Sequence, residues 1–152
     1  MKRIMSDKST ETQPVLWSPL LVGIMTFLIL PGGWMLGTLN FYRAGLKLRA
    51  AAHFISLLVL TFLSFDVVFS AHPDELFGYA FLLGLTLSYY MYNINSRMIY
   101  NYRVLGGVVQ TANPVTGVLI SIAATLGWGV FVMILAVVGA SFQMKAIGFL
   151  FP

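Results

Sequence analysis

The stretch FLILPGGWMLGTLNFYRAGLKLRA, residues 27–50, decides how the chain is built. An apolar run carries Pro31, Gly32 and Gly33 in its middle and stops at Asn40, with Arg43, Lys47 and Arg49 close behind. Val15 to Tyr42 is 28 residues without a charge, roughly 42 Å if wholly helical at about 1.5 Å per residue. That exceeds the hydrocarbon thickness of a bilayer by about a third. Pro31 removes a backbone hydrogen bond and clashes with the preceding turn, and the two glycines loosen the same point. The run is therefore expected to form one kinked or tilted membrane span. Its second half would bring Asn40, Tyr42 and Arg43 to headgroup depth, where polar and aromatic groups are favoured. A second reading makes it a discontinuous helix whose exposed backbone binds a ligand, as in transporters.

Working outward, the composition agrees with a membrane setting. Of the 152 residues 59% are hydrophobic and 9% charged, against about 25% charged in an ordinary soluble domain. So few charges cannot cover a soluble core. The chain has no cysteine, which excludes disulfides, thiolate metal sites and cysteine nucleophiles. The net charge of +4 comes from nine Lys and Arg against five Asp and Glu. These cations cluster at the ends of apolar runs, which points to membrane topology and not to nucleic acid. The opening MKRIMSDKSTETQP is polar and reads as a short arm. The apolar run after it is longer than a signal-peptide core and ends in a basic segment, so it is expected to stay as an uncleaved first span.

Four segments are long enough to cross, and the predicted fold is all-α with four transmembrane helices. They cover about 15–40, 50–71, 76–95 and 115–140, making a single membrane domain over 15–140 between an N-terminal tail, 1–14, and a C-terminal tail, 141–152. In SAHPDELFG, Pro73 ends one helix and Asp74 and Glu75 open the next, so the two middle spans are expected to form a tight hairpin. The first and third loops hold Arg43, Lys47, Arg49, Arg97 and Arg103, whereas the other side holds Lys2, Arg3, Lys8 and Lys145. Five against four, with three of the five abutting two spans, places the loops in the cytoplasm and both termini outside.

Small residues at every fourth position mark faces on which membrane helices pack closely. The fourth span carries Gly117, Ser121, Thr125 and Gly129, the third Ala80, Gly84 and Ser88, and the first Gly33 and Gly37. These stripes serve packing within the chain, or else a homo-oligomer or another membrane subunit.

Two sets of polar residues could do chemistry. Asp66 falls inside the second span, where a carboxylate is costly and so a candidate intramembrane site, unless the helix is shifted outward and Asp66 meets headgroups. At the cytoplasmic interface Asn40, Arg43, His53, Asn93, Asn95 and Arg97 are expected at one depth, ringed by tyrosines. They read as a pocket gripping an anionic head group, or as an aromatic belt with asparagines capping helix ends. The two histidines lie too far apart for a helical zinc pair, and there is no phosphate loop, nucleophile elbow or intramembrane carboxylate pair. No catalytic residue, cofactor or metal is therefore assigned. Nucleic acid has no platform, and the expected ligand is membrane lipid.

Trp17, Ser18 and Pro19, then Pro31, Gly32 and Gly33, then Asn40, Phe41, Arg43 and Gly45 follow in an order that resembles a group of small bacterial membrane proteins. In that group a Tyr/Trp-Ser-Pro entry leads to a Gly/Pro-containing first span and an Asn-aromatic-Arg basic loop. The likeness covers about a quarter of the chain, and the loop after Gly45 is less basic here and lacks proline. It implies a four-span topology in a bacterial inner membrane and no reaction. The function expected is that of a non-enzymatic interaction or accessory subunit. The alternative is a small transporter or channel formed by homo-oligomerisation, with Asp66 and the Pro31 kink lining its path.

Overall fold

The computed structural model describes the backbone of residues 13–70 and 73–150, and the side chains of residues 13–63 and 78–138. The fold is all-α. Helices α1 (Pro19–Leu28), α2 (Leu30–Arg43), α3 (Lys47–Ser70), α4 (Pro73–Val104) and α5 (Pro114–Leu150) are accompanied by two short strands. These are β1 (Val15–Leu16) and β2 (Gln110–Thr111), paired in parallel.

The segment expected to be one kinked helix is two helices running in opposite directions. Ser18 caps α1, its Oγ accepting the Leu21 N–H at 3.2 Å, and Pro19 follows in the first turn, where no N–H is required. The helix ends at Ile29, whose backbone leaves the helical region (φ −142°, ψ 80°). Pro31 then lies in the first turn of α2, so it starts a helix and does not bend one. From there the chain folds back. Gly33 lies against Met25 and Thr26, Gly37 against Val22, and Asn40 against Trp17. The numbers rise on one helix as they fall on the other, which defines an antiparallel hairpin with its tip near Ile29. A Cβ on Gly33 would collide with the backbone of Met25 and Thr26, so glycine here permits the two backbones to touch. The expected single span over 15–40 is thus corrected: helices of ten and 14 residues share the apolar length that was read as one.

The hairpin is the hub of the molecule. Helix α2 packs on α1, α3, α4 and α5, and α4 also packs along α1. Gly23 of α1 meets Ser88 and Tyr92 of α4, and the rings of Phe27 and Phe81 meet edge to face at 5.6 Å. Gly32 of α2 lies against Ser121 and Thr125 of α5, and Gly117 of α5 against Trp17 and Leu21. Trp17, Val22, Trp34, Leu36, Leu57 and Met91 form the buried core. The stripe residues Gly33, Gly37, Gly84, Ser88, Gly117, Ser121 and Thr125 are therefore all engaged within the chain. Ala80 is exposed and Gly129 is half-buried.

Helices α3 and α5 start, and α4 ends, beside the open end of the hairpin, here called the base. All three run past the hairpin tip, and there Phe62, Leu63, Leu126, Val130, Met133 and Ile134 are exposed. Among the described residues one helix, Pro114–Val138, is long and apolar enough to cross a membrane. The turn of the expected middle hairpin, residues 71–72, lies outside the described residues. Nearer the base α3 rests on α2, whereas α4 rests on α1 and α2. Helix α4 also continues to Val104, nine residues beyond the expected end of its span at Asn95. The loop that follows turns at Gly106, whose φ is 81°.

Candidate functional site

The base gathers most of the polar residues singled out from the sequence. Trp17 lies between β1 and α1, so neither regular element supplies partners for its backbone. Asn40 does. Its Oδ1 accepts the Trp17 N–H at 2.9 Å, and its Nδ2 donates to the Trp17 carbonyl at 3.0 Å. The second Nδ2 hydrogen goes to Asn95 Oδ1 at 3.0 Å, and Asn95 Nδ2 donates to the Met91 carbonyl at 3.0 Å. Both amides are fully buried. Asn40 thus acts like a neighbouring strand, pairing with both backbone groups of one residue, and it ties α2 to the start of α1 and to α4. A buried amide left without partners costs about 1–3 kcal/mol per group, so this network locks the open end of the hairpin.

Arg43 adds an outer layer. Its Nη1 donates to the Val15 carbonyl at 3.1 Å, and its guanidinium carbon stands 4.2 Å from the Trp17 ring centroid. β1 is held on its other side by β2, with the Ala112 N–H donating to the Leu16 carbonyl at 2.8 Å. His53 is half-buried and stacks on Phe41, ring centroids 4.8 Å apart and planes 14° apart. Trp34 donates its indole N–H to the His53 carbonyl at 2.8 Å and stacks on Tyr90 at 6.0 Å. Asn93 turns back to its own helix, donating to the Tyr89 carbonyl at 3.0 Å, and Arg97 is exposed. The six residues expected at one depth therefore separate: Asn40, Asn95 and Arg43 converge on the β1–α1 junction, His53 joins an aromatic stack, and Asn93 and Arg97 stand apart. The Asp66 side chain lies outside the described residues.

Two hollows flank this network. A groove of about 520 Å³ opens where α3 and α4 part over Trp34, walled by Ile55, Val59, Leu60, Leu87 and Tyr90. It is almost wholly apolar. A smaller cavity of about 280 Å³ lies at the base between the β1–α1 junction, the last turns of α4 and β2. Ser18, Ser96, Tyr100, Arg103 and Thr111 are the polar residues in its mostly apolar wall.

The described side chains include no Asp or Glu, and no three metal-ligating side chains gather among the described residues. Arg43, Lys47, Arg49, Arg97 and Arg103 lie at or beside the base with no carboxylate among those side chains to pair with. His53 likewise has no carboxylate to orient it, the arrangement on which a general base usually depends. What the site offers chemically is cationic charge, hydroxyls and aromatic faces.

Sequence reasoning passed over Trp17 and Trp34 as site residues. Trp17 was visible only as part of the Trp-Ser-Pro entry, and its pairing with Asn40 spans 23 positions. Trp128 was missed too: it reaches from α5 to α3, donating to Thr61 Oγ1 at 3.0 Å. Comparison of the chain with known proteins found no matching family model, no matching curated protein and no matching solved structure.

Proposed function

We propose that the chain is a multi-pass inner-membrane protein without enzymatic activity, an accessory subunit whose fifth helix packs against a partner transmembrane helix. In this reading α3, α4 and α5 cross the bilayer, and α1 and α2 form a re-entrant hairpin that dips in from the base and returns. Helices of 24, 32 and 37 residues are roughly 36, 48 and 55 Å long, enough to cross, while the hairpin helices reach only about halfway. Irregular backbone at membrane depth, such as the turn at Ile29, is tolerated where protein surrounds it.

The observation that carries the topology is the distribution of cations. With the hairpin folded back, residue 13 lies at the base, on the side of Arg43, Lys47, Arg49, Arg97 and Arg103. Five of the six cations in the described backbone then fall at the base, and Lys145 of α5 toward the far end. Five against one among the described cations is a clearer positive-inside bias than the five-to-four balance of a four-span layout. The base, with the N-terminus, is assigned to the cytoplasm, and the C-terminus to the other side.

The subunit role rests on α5. Its lower glycine is filled by Trp17 and Leu21, yet Gly127 and Gly129 have nothing within 4 Å of where a side chain would begin. Leu126, Val130, Met133 and Ile134 beside them are exposed. Small residues in an apolar face let a second helix approach closely. A photo-crosslinking residue at Val130 in cells should yield one discrete adduct, lost when Gly127→Leu and Gly129→Leu fill the contact. An adduct at twice the chain's mass would favour the self-assembled transporter instead. Adducts to lipid alone would sink both readings.

A further inference from the structure

We propose that the small cavity at the base is a binding site for a phosphate ester, with the Arg103 guanidinium as its anchor. The lipid form of that ligand rests on the membrane placement above, and the phosphate chemistry does not. The cavity, about 280 Å³ and partly open, lies between three separate parts of the chain: the β1–α1 junction, the last turns of α4 and β2. It is the size of a head group and too small for a whole lipid, since one water in the liquid takes about 30 Å³.

Its chemistry is one-sided. Its polar residues are Arg103, Ser18, Ser96, Tyr100 and Thr111, and among the described residues no carboxylate lines it. Ser18 Oγ already accepts the Leu21 N–H, which leaves its hydroxyl hydrogen to donate elsewhere. Ser96 differs from the other serine and the threonine of its helix. Thr86 bonds back to the Leu82 carbonyl and Ser88 across to the Gly23 carbonyl, whereas Ser96 makes no hydrogen bond among the described residues. Tyr100, Thr111 and Arg103 also make none with their side chains. Four donors and a forked cation around one hollow suit a tetrahedral oxyanion, which accepts from all sides. The first turn of α1 borders the same space at Ser18 and Pro19 and adds the positive end of a helix dipole. Leu16, Trp17, Ile99 and Val109 complete the wall with apolar surface, suited to the glycerol or acyl part next to a phosphate.

The test uses the purified full chain, delipidated in a neutral detergent, with binding read by native mass spectrometry. Phosphatidylglycerol, phosphatidylcholine and inorganic phosphate are titrated separately against the parent, Arg103→Gln, Ser96→Ala and Arg97→Gln. Arg97 is the control cation, exposed on the same helix and outside the cavity. Phosphatidylglycerol should bind the parent, about tenfold more weakly to Arg103→Gln and a few-fold more weakly to Ser96→Ala, and without change to Arg97→Gln. Inorganic phosphate binding with the same pattern, in the absence of lipid binding, supports the site with a soluble ligand as its source. Equal weakening by Arg103→Gln and Arg97→Gln, or binding of neither anion, overturns the proposal. Elution volume and thermal midpoint of each variant show that it is folded. Failure to enter lipid vesicles would count against the membrane placement and leave the inorganic phosphate arm standing.

Discussion

The two ends of helix α5 make the instructive contrast. At the lower end Gly117 meets the Trp17 indole and Leu21, and Ser121 and Thr125 press on Gly32. Toward the upper end, Gly127 and Gly129 face open space. The same residue type, at similar spacing on one helix, does different work in the two places. Below, the α1–α2 hairpin supplies a neighbour, so absence of a side chain becomes close contact. Above the hairpin tip nothing in the described chain fills that place. A small-residue stripe says how closely a helix can be approached. What approaches it depends on how far the neighbouring element extends.

The largest effect should come from breaking the lock at the lower end. Asn40→Asp removes two donated hydrogen bonds and sets carboxylate oxygen against the Trp17 carbonyl and Asn95 Oδ1. It should cost about 3 kcal/mol or more, measured as loss of monodisperse protein in detergent or as a lowered thermal midpoint. Unchanged stability would show that Asn40 does not hold the hairpin shut. Gly33→Ala comes next. Its new methyl group meets backbone and not a side chain that could swing aside, so about 2–3 kcal/mol is expected, near the top of the range for overpacking. If the variant is as stable as the parent, α1 and α2 are not in backbone contact.

Gly117→Ala tests the same end more gently, because the obstacles are the Trp17 ring edge and a Leu21 methyl. A loss of about 1–2 kcal/mol is expected. Gly45→Ala separates packing from backbone strain. Nothing lies within 4 Å of the site, but φ is 78°, a conformation that costs a residue with a Cβ about 1 kcal/mol or a little more. The smallest effect belongs to the upper end: Gly129→Ala should leave the purified chain as stable as before or slightly more so, since helical glycine is unfavourable by roughly 0.5–1 kcal/mol. A large destabilisation there would mean that this face is already occupied by the chain itself.

These expectations also mark where the sequence was and was not informative. The all-α class follows from long apolar runs broken by polar turns, and helix ends such as Pro73 and Pro114 are chemically marked. The fold-back at Ile29 is not. Two half-length helices joined by one residue have the apolar length and composition of a single long span, so hydropathy cannot separate them. Pro31 and its glycines announce a break in the backbone, and the direction taken after it depends on meetings 23 positions apart, Asn40 with Trp17. The polar cluster was partly legible for the same reason. The ends of the expected antiparallel spans put Asn40 and Asn95 at similar depth, but only the reversed chain turns the pair inward to a backbone segment and away from a ligand.

The pairing of β1 with β2 has a consequence for how the protein is made. Residues 15 and 16 find their strand partners at 110 and 111, so during translation the opening hairpin emerges long before the segment that completes its seat. While α3 and α4 are being synthesised, its two short helices must wait beside the ribosome without α5 to press on Gly32. The hairpin therefore gains its full seat only after translation has passed Thr125.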